Sequence, residues 1–299
     1  MKEKDREILE SLIRDHEDLI GSSRVTMLAI ESLIKSIQEL KCRADDVREL
    51  YADLAESIKN TKPKIVPLIH VIEEFETEMQ DGFGGDIDEI KKKAEKILMQ
   101  QYNKVKSKVG KVIEHGMQLI NDGDVIIVHT VSKDVTNMLM IAKEVFQKEF
   151  EVILLKQDFM KTGKLIKSFA SAEIVTRVAP EYSLSHYVHE ANKVFIGTLS
   201  VGTDMKFVAA LGTANIISLC HLQQLPVYLF ATTLKFSHQR ISEQKIHRKE
   251  ELRRQDNCDY VLITHSHDIV DMDLVDYIIT ENGVHTVAEL ERVIQSRDQ

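Results

Sequence analysis

The sequence predicts an α/β protein in which an all-helical domain precedes a doubly wound, mainly parallel sheet domain. Three observations predict it. Apolar residues recur at helical spacing through the first 121 residues. After Asn121-Asp122-Gly123, short β-branched runs alternate with helical stretches. Those runs are apolar almost throughout, as strands buried on both faces must be. The expected domains are residues 1–121 and 122–299.

The helical half is justified element by element. Ile8, Leu9, Leu12, Ile13, Leu19 and Ile20 form a first stripe, broken at Gly21-Ser22-Ser23. Ser22 or Ser23 is expected to cap the next helix, which carries Val25, Leu28, Ala29, Leu33 and Ile37. Asp45-Asp46 precedes a third stripe of Val47, Leu50, Leu54 and Ile58, and Lys62-Pro63 stops it. Pro67 suits the start of a short helix through Met79, and Asp81 to Gly85 reads as a loop. A long helix follows from about Asp86 to about Ile120, weakened at Gly110 and Gly116.

The expected strands are Val125–Thr130, Val152–Lys156, Glu173–Val178, Val194–Gly197, Val227–Ala231 and Tyr277–Thr280. Helical connections between parallel strands cross over right-handedly, which makes the domain Rossmann-like. Ligands in such sheets sit beyond the strands' carboxyl ends. The residues to question are therefore His129–Asp134, Gln157–Gly163, Thr198–Gly212 and Thr232–His238.

Composition excludes several classes. The chain has 299 residues, a net charge of −9 and three widely spaced cysteines, Cys42, Cys220 and Cys258. A disulfide framework and a Cys-x-x-Cys zinc site are both ruled out, and free thiols fit a cytoplasmic protein. No apolar run is long enough to span a bilayer, so no membrane role is expected. The acidic balance gives no strong nucleic-acid signal. Lys91 to Lys111 and Arg240 to Arg254 are locally basic but helix-like and mixed with acids, as solvated helix faces are.

The strand ends carry few chemical motifs. His129-Thr130-Val131-Ser132-Lys133-Asp134 has no glycine fingerprint for a dinucleotide. Ser132 and Lys133 at a helix N-terminus are able to hold a phosphate; a simple Ser or Asp N-cap reads equally well. Gly212 admits close backbone approach and Thr213 opens a helix after it. His265-Ser266-His267-Asp268 has the look of a metal motif, but its acid falls one place early and its last histidine is missing. An exposed polar turn is expected there, with no metal site and no cofactor.

In their order along the chain, "GDVIIVHTVSKDV", "ANKVFIGTLSVGTDMKFVAALGTAN", "LPVYLFATTLKF" and "VDYIITENGV" resemble the initiation factor 2B alpha/beta/delta family. That family also contains the methylthioribose-1-phosphate and ribose-1,5-bisphosphate isomerases. The resemblance spans roughly Asp124 to Val287, and "GSSRVTMLAIESL" and "KPKIVPLIHVI" are similar to openings of the family's helical domain.

The departures are specific. In the isomerases a cysteine follows the first-strand histidine; here Thr130 follows His129. Counting from Gly197 and from Gly212-Thr213, the isomerase aspartate becomes Leu199. Ala209-Ala210 replaces an Asn-Lys pair, and Lys156-Gln157-Asp158-Phe159 replaces an arginine-bearing stretch. Leucine cannot ionise, threonine does not ionise usefully near neutral pH, and one lost acid or base costs about 10²–10⁴-fold in rate. Asp204 serves as a substitute acid only with a five-residue loop shift. Lys235 matches the family lysine, and His129, Ser132, Gly197, Gly212 and Thr213 complete a degenerate pocket.

The resemblance thus implies a non-catalytic regulatory subunit acting by assembly and recognition. It implies a homodimer or a larger homologous complex, since relatives pair through their C-terminal domains, and initiation factor 2 as a partner. A sugar phosphate or nucleotide is the ligand class for the pocket. The alternative is a working sugar-phosphate aldose–ketose isomerase.

Overall fold

The computed structural model describes residues 8, 11–13, 20–61, 64–84, 86–129, 132–156, 159–243, 248–256 and 258–295. Leu9 and Leu19 of the first helical stripe lie outside these residues, as do Lys62-Pro63, Gly85, Thr130-Val131 and Gln157-Asp158.

The N-terminal helices are α1 (Ser22–Glu39), α2 (Ala44–Lys59), α3 (Val66–Met79) and α4 (Ile87–Met117). Gly21, with φ 79°, turns the chain into α1, and neither serine caps it. Both are buried within the first turn, where Ser23 Oγ donates to Asp134 Oδ2 at 3.1 Å. Tertiary contact has claimed the hydroxyl that local capping would use. Pro67 lies in the first turn of α3 as expected, since its missing N–H costs nothing there. Asp86 caps α4, its carboxylate accepting from the N–H groups of Asp88 and Glu89 at 2.9 Å. Ile30, Phe75, Met79, Ile90 and Leu98 bury together where α1, α3 and α4 meet.

All six expected parallel strands are present: β1 (Asp124–Val128), β2 (Phe150–Lys156), β3 (Val175–Pro180), β4 (Lys193–Gly197), β7 (Val227–Phe230) and β11 (Tyr277–Thr280). An antiparallel edge strand, β12 (Gly283–Thr286), completes the order β12-β11-β7-β4-β1-β2-β3. Successive side chains alternate between the two faces. Ile127, Ile153, Ile196 and Leu229 enter one core with α7 (Thr213–Leu222) and α8 (Val287–Gln295). Ile126, Val128, Phe195 and Phe230 enter the other with α5 (Lys133–Glu144), α6 (Phe159–Ser171) and the end of α4. Both faces being covered explains the continuous apolar runs.

Two further sheets accompany this one. β5 (Ser200–Val201), β6 (Lys206–Ala210) and β10 (His267–Asp271) form a small antiparallel sheet. β8 (Arg248–Gln255) and β9 (Cys258–His265) form a hairpin paired only with itself among the described residues. The basic stretch expected as a helix face is thus, over 248–255, a strand. Its mixed charges resemble a solvated helix locally, but Val261, Ile263 and Thr264 in β9 provide a β-partner.

Helix α4 belongs to both halves, with its last turns already against the sheet that follows the expected boundary. A Cβ on Gly116 would lie 2.2 Å from Met138 Sδ and 2.5 Å from Phe230 Cε1, so only glycine permits this approach. About two turns earlier in α4, Lys108 Nζ donates to Thr233 Oγ1 at 2.7 Å and to the buried Glu281 carboxylate, which also accepts from Thr233 N at 2.8 Å. Burial pushes the Glu281 carboxyl up, but the bonds from Lys108 and Thr233 outweigh it and hold it below the ordinary 4.5. His115 Nδ1 meets Thr280 O at 2.8 Å alongside.

Lys108→Met leaves a buried carboxylate without its cation and is expected to cost about 3 kcal/mol in urea unfolding. Lys108→Met with Glu281→Leu is expected to recover most of that loss. Because the folded Glu281 pKa is depressed, its contribution is fully present above pH 4.5 and is lost as pH falls through the folded value.

Candidate functional site

The strand order reverses between β1 and β4, so this is the switch point where a doubly wound sheet opens its crevice. The residues leaving these strands are His129 after β1, and Thr198 and Leu199 after β4. A Cβ on Gly197 would lie 2.5 Å from both Cβ and Oγ of Ser132. Ser132 therefore packs directly against the end of β4. Its hydroxyl caps α5, accepting from Val135 N at 3.4 Å, and Lys133 beside it is exposed.

His129 is buried, with Nδ1 3.6 Å from Glu181 Oε1. That separation is too long for a hydrogen bond. Burial drives the imidazole down to about 3, so the ring is neutral at physiological pH and this contact is not an ion pair. Gly212 seals the other side: its φ is +91°, and a Cβ would lie 2.9 Å from Glu181 Oε2 and 3.5 Å from His129 Cε1. Thr213 is buried and its hydroxyl donates to Ala210 O at 2.7 Å.

Two positive features of the crevice already hold internal anions. Lys235 is buried; its Nζ donates to Thr198 O at 2.8 Å and lies 3.8 Å from Asp134 Oδ2. The N-terminus of α7 holds Asp268, whose Oδ2 accepts from Gly212 N at 2.9 Å and Ala214 N at 3.1 Å. Asp268 thus caps a helix, and His267 is buried with Nδ1 2.9 Å from Ser266 Oγ. The stretch expected as an exposed polar turn is a bend at Ser266 between two strands: the exposed His265 ends β9, while His267 and Asp268 begin β10 and are drawn inward. Among the described residues, no cluster of three His, Cys, Asp or Glu is arranged to hold a metal ion.

His129, Ser132, Gly197, Gly212, Thr213 and Lys235 lie at the same carboxyl end of the sheet. Leu199 turns away into an apolar cluster with Val208, Ile241 and Ile269. Its register is fixed by Leu199 N donating to Val208 O at 2.9 Å and by the β5–β6 pairs Ser200↔Val208 and Val201↔Phe207. Asp204 lies in the turn of that hairpin, between β5 and β6. Its carboxylate accepts from Ile241 N, Ser242 N and Ser242 Oγ at 2.9, 3.0 and 2.7 Å, which makes it a clamp for the turn at 241–243. Thr130 lies outside the described residues. Glu181, Asp134 and Asp268 were not singled out as site residues. Only Asp134 and Asp268 stood inside motifs that drew notice; Glu181 had no local signal because its partners come from other loops.

Gly197→Ala is expected to cost about 1–3 kcal/mol through overpacking, and Ser132→Gly in the same chain to recover it, both read by denaturant unfolding. His129 supplies a pH signature. The unfolded ring takes up a proton near 6.5, while the folded ring does so only near 3. The unfolded state binds more protons between these values, so stability falls as pH drops through that window. The wild-type slope is expected to exceed that of His129→Phe by up to about 1.4 kcal/mol per pH unit.

The Initiation factor 2 subunit family matches residues 19–287. An eIF-2B subunit 2-like translation initiation factor of Pyrococcus furiosus is 26% identical over 247 residues, covering 82% of this chain and 84% of that one. The ribose 1,5-bisphosphate isomerase of the same organism is 24% identical over 289 residues, covering 89% and 86%. Among solved structures, translation initiation factor eIF-2B of Pyrococcus horikoshii OT3 superposes with a TM-score of 0.81 at 21% identity, covering 99% of this chain and all of that one. The tetrameric eIF2B-beta2-delta2 complex of C. thermophilum matches with a TM-score of 0.71 at 15% identity, covering 98% and 94%. These likenesses establish the shared fold at low identity, and the match over 19–287 supplies the family: this chain belongs to the initiation factor 2 subunit family.

Proposed function

We propose that this chain is an eIF2B-like regulatory subunit that works by assembly and protein recognition, without isomerase activity. The observation that carries the reading is Leu199. It occupies the position that matches the isomerases' aspartate, and its side chain is buried among Val208, Ile241 and Ile269. No proton can be exchanged there. The nearest acid along the loop, Asp204, is held in bonds to Ile241 and Ser242, with a pKa below the ordinary 3.8; burial opposes these bonds and is outweighed. A general acid needs a proton to give at neutral pH, which such a carboxyl lacks. The Thr130 replacement of cysteine points the same way.

The role is one of partners. Copies of this chain or homologous subunits would form the complex, and initiation factor 2 would be the protein recognised, in the cytoplasm. The homologous tetramer of C. thermophilum is the precedent for assembly. Among the described residues no helix is long and apolar enough to cross a membrane.

A second reading, sensing of a phosphorylated metabolite without turnover, draws on the exposed Lys133 at the N-terminus of α5 near buried Lys235.

The purified chain is expected to form no product from ribose 1,5-bisphosphate or 5-methylthioribose 1-phosphate above a protein-free control. Turnover of either sinks the non-catalytic reading. A ligand-dependent rise in melting temperature without product supports metabolite sensing, at about 2.7 kcal/mol of stabilisation for ligand at a hundred times its Kd.

A further inference from the structure

The β8–β9 hairpin is exposed on both faces. No described side chain in its two eight-residue strands is buried. Leu252 is 77% exposed, Val261 54% and Ile263 47%. Leu252 lies opposite Val261 in the ladder, so these side chains form one apolar stripe across the hairpin. An isolated two-stranded hairpin is marginal in water, and an uncovered edge strand is a template for another strand. Both arguments call for a covering strand.

The charges of β8 say which one. Around Leu252 the sequence reads Glu250-Glu251-Leu252-Arg253-Arg254. If this strand is laid antiparallel on a copy of itself with Leu252 opposite Leu252, Glu250 meets Arg254 and Glu251 meets Arg253, each twice by symmetry. A strand blunted only to resist association needs charge, but it needs no palindrome of opposite charges about an apolar centre. We infer that β8 is a self-pairing edge through which two copies of this chain join β9-β8-β8-β9 into a four-stranded sheet.

The inference rests on the assembly reading above and names the surface it would use. Such an interface is isologous, as two-fold dimers require. The apolar stripe then runs unbroken from Val261 through both Leu252 side chains to the second Val261. The ion pairs β8 makes within one chain do not oppose this. Arg253 to Glu251 and Arg248 to Glu250, each 2.7 Å, and Arg254 to Asp259 at 3.7 Å, join exposed or half-buried side chains, and such pairs are weak enough to rearrange.

The test is a charge exchange in the full-length chain, read by sedimentation velocity over a concentration series. The wild-type chain is expected to dimerise. Glu251→Arg sets two arginine pairs against each other and Arg253→Glu two glutamate pairs, so each variant alone is expected to dimerise roughly tenfold or more weakly. An equimolar mixture of the two variants restores complementary pairs, and so does E251R/R253E within one chain; both are expected to return association towards wild type. Recovery in the mixture cannot come from misfolded variants, and melting temperatures equal to wild type for each variant exclude a folding defect. A wild-type chain that stays monomeric overturns the inference together with self-assembly. A dimer indifferent to both single substitutions, or one not restored in the mixture, overturns the strand pairing alone and leaves the assembly reading standing.

Discussion

The Lys108 ammonium, reaching from α4 to the Glu281 carboxylate and the Thr233 hydroxyl, sets where the helical half sits on the sheet. A carboxylate as buried as Glu281 must keep its cation and its donors, or the desolvation cost falls on the fold. That requirement fixes α4 against the carboxyl ends of β7 and β11. Gly116, further along α4, then determines how closely the helix can approach. The single turn Thr233–Lys235 distributes the consequences. Thr233 joins the polar junction, Leu234 enters the core of the helical bundle, and Lys235 enters the crevice. The two halves are therefore built around shared residues.

The crevice reads as a polar site whose charges have been turned inward. Lys235 faces Asp134, which in turn receives Ser23 from the helical half. The donors at the start of α7 are spent on Asp268. His129 is held neutral by burial beside Glu181 and Gly212. Each of these contacts stabilises the described loops at the sheet's carboxyl end. Isomerase relatives and initiation-factor relatives alike match this chain over more than four-fifths of its length. Leu199 is a hydrophobic anchor for the β5–β6 hairpin and the turn at Ile241.

The parallel sheet was legible because its signal is local and repeated. Each central strand is buried on both faces, so apolar side chains fill consecutive positions whatever the neighbouring strand is. The capping of α4 by Asp86 and the start of α3 at Pro67 were legible for the same reason, since caps act within one turn. Ser22 and Ser23 misled because Ser23 bonds to Asp134, 111 residues away. The β8 strand misled because alternating charges fit a solvated helix as well as an exposed strand. Only its pairing with β9 decides between them.

The sequence by itself determined the order of helices and parallel strands, the glycines at Gly197 and Gly212, and an apolar, non-ionisable residue at Leu199. These follow from composition, short-range sterics and residue identity, which need no partner. The tertiary structure alone decided which charges meet: Lys108 with Glu281, Lys235 with Asp134, and Asp268 with α7. It also decided that Asp204 clamps a turn while Leu199 faces away from the crevice. Electrostatic partnership depends on distances of a few ångströms between residues dozens of positions apart, and no local pattern encodes those distances.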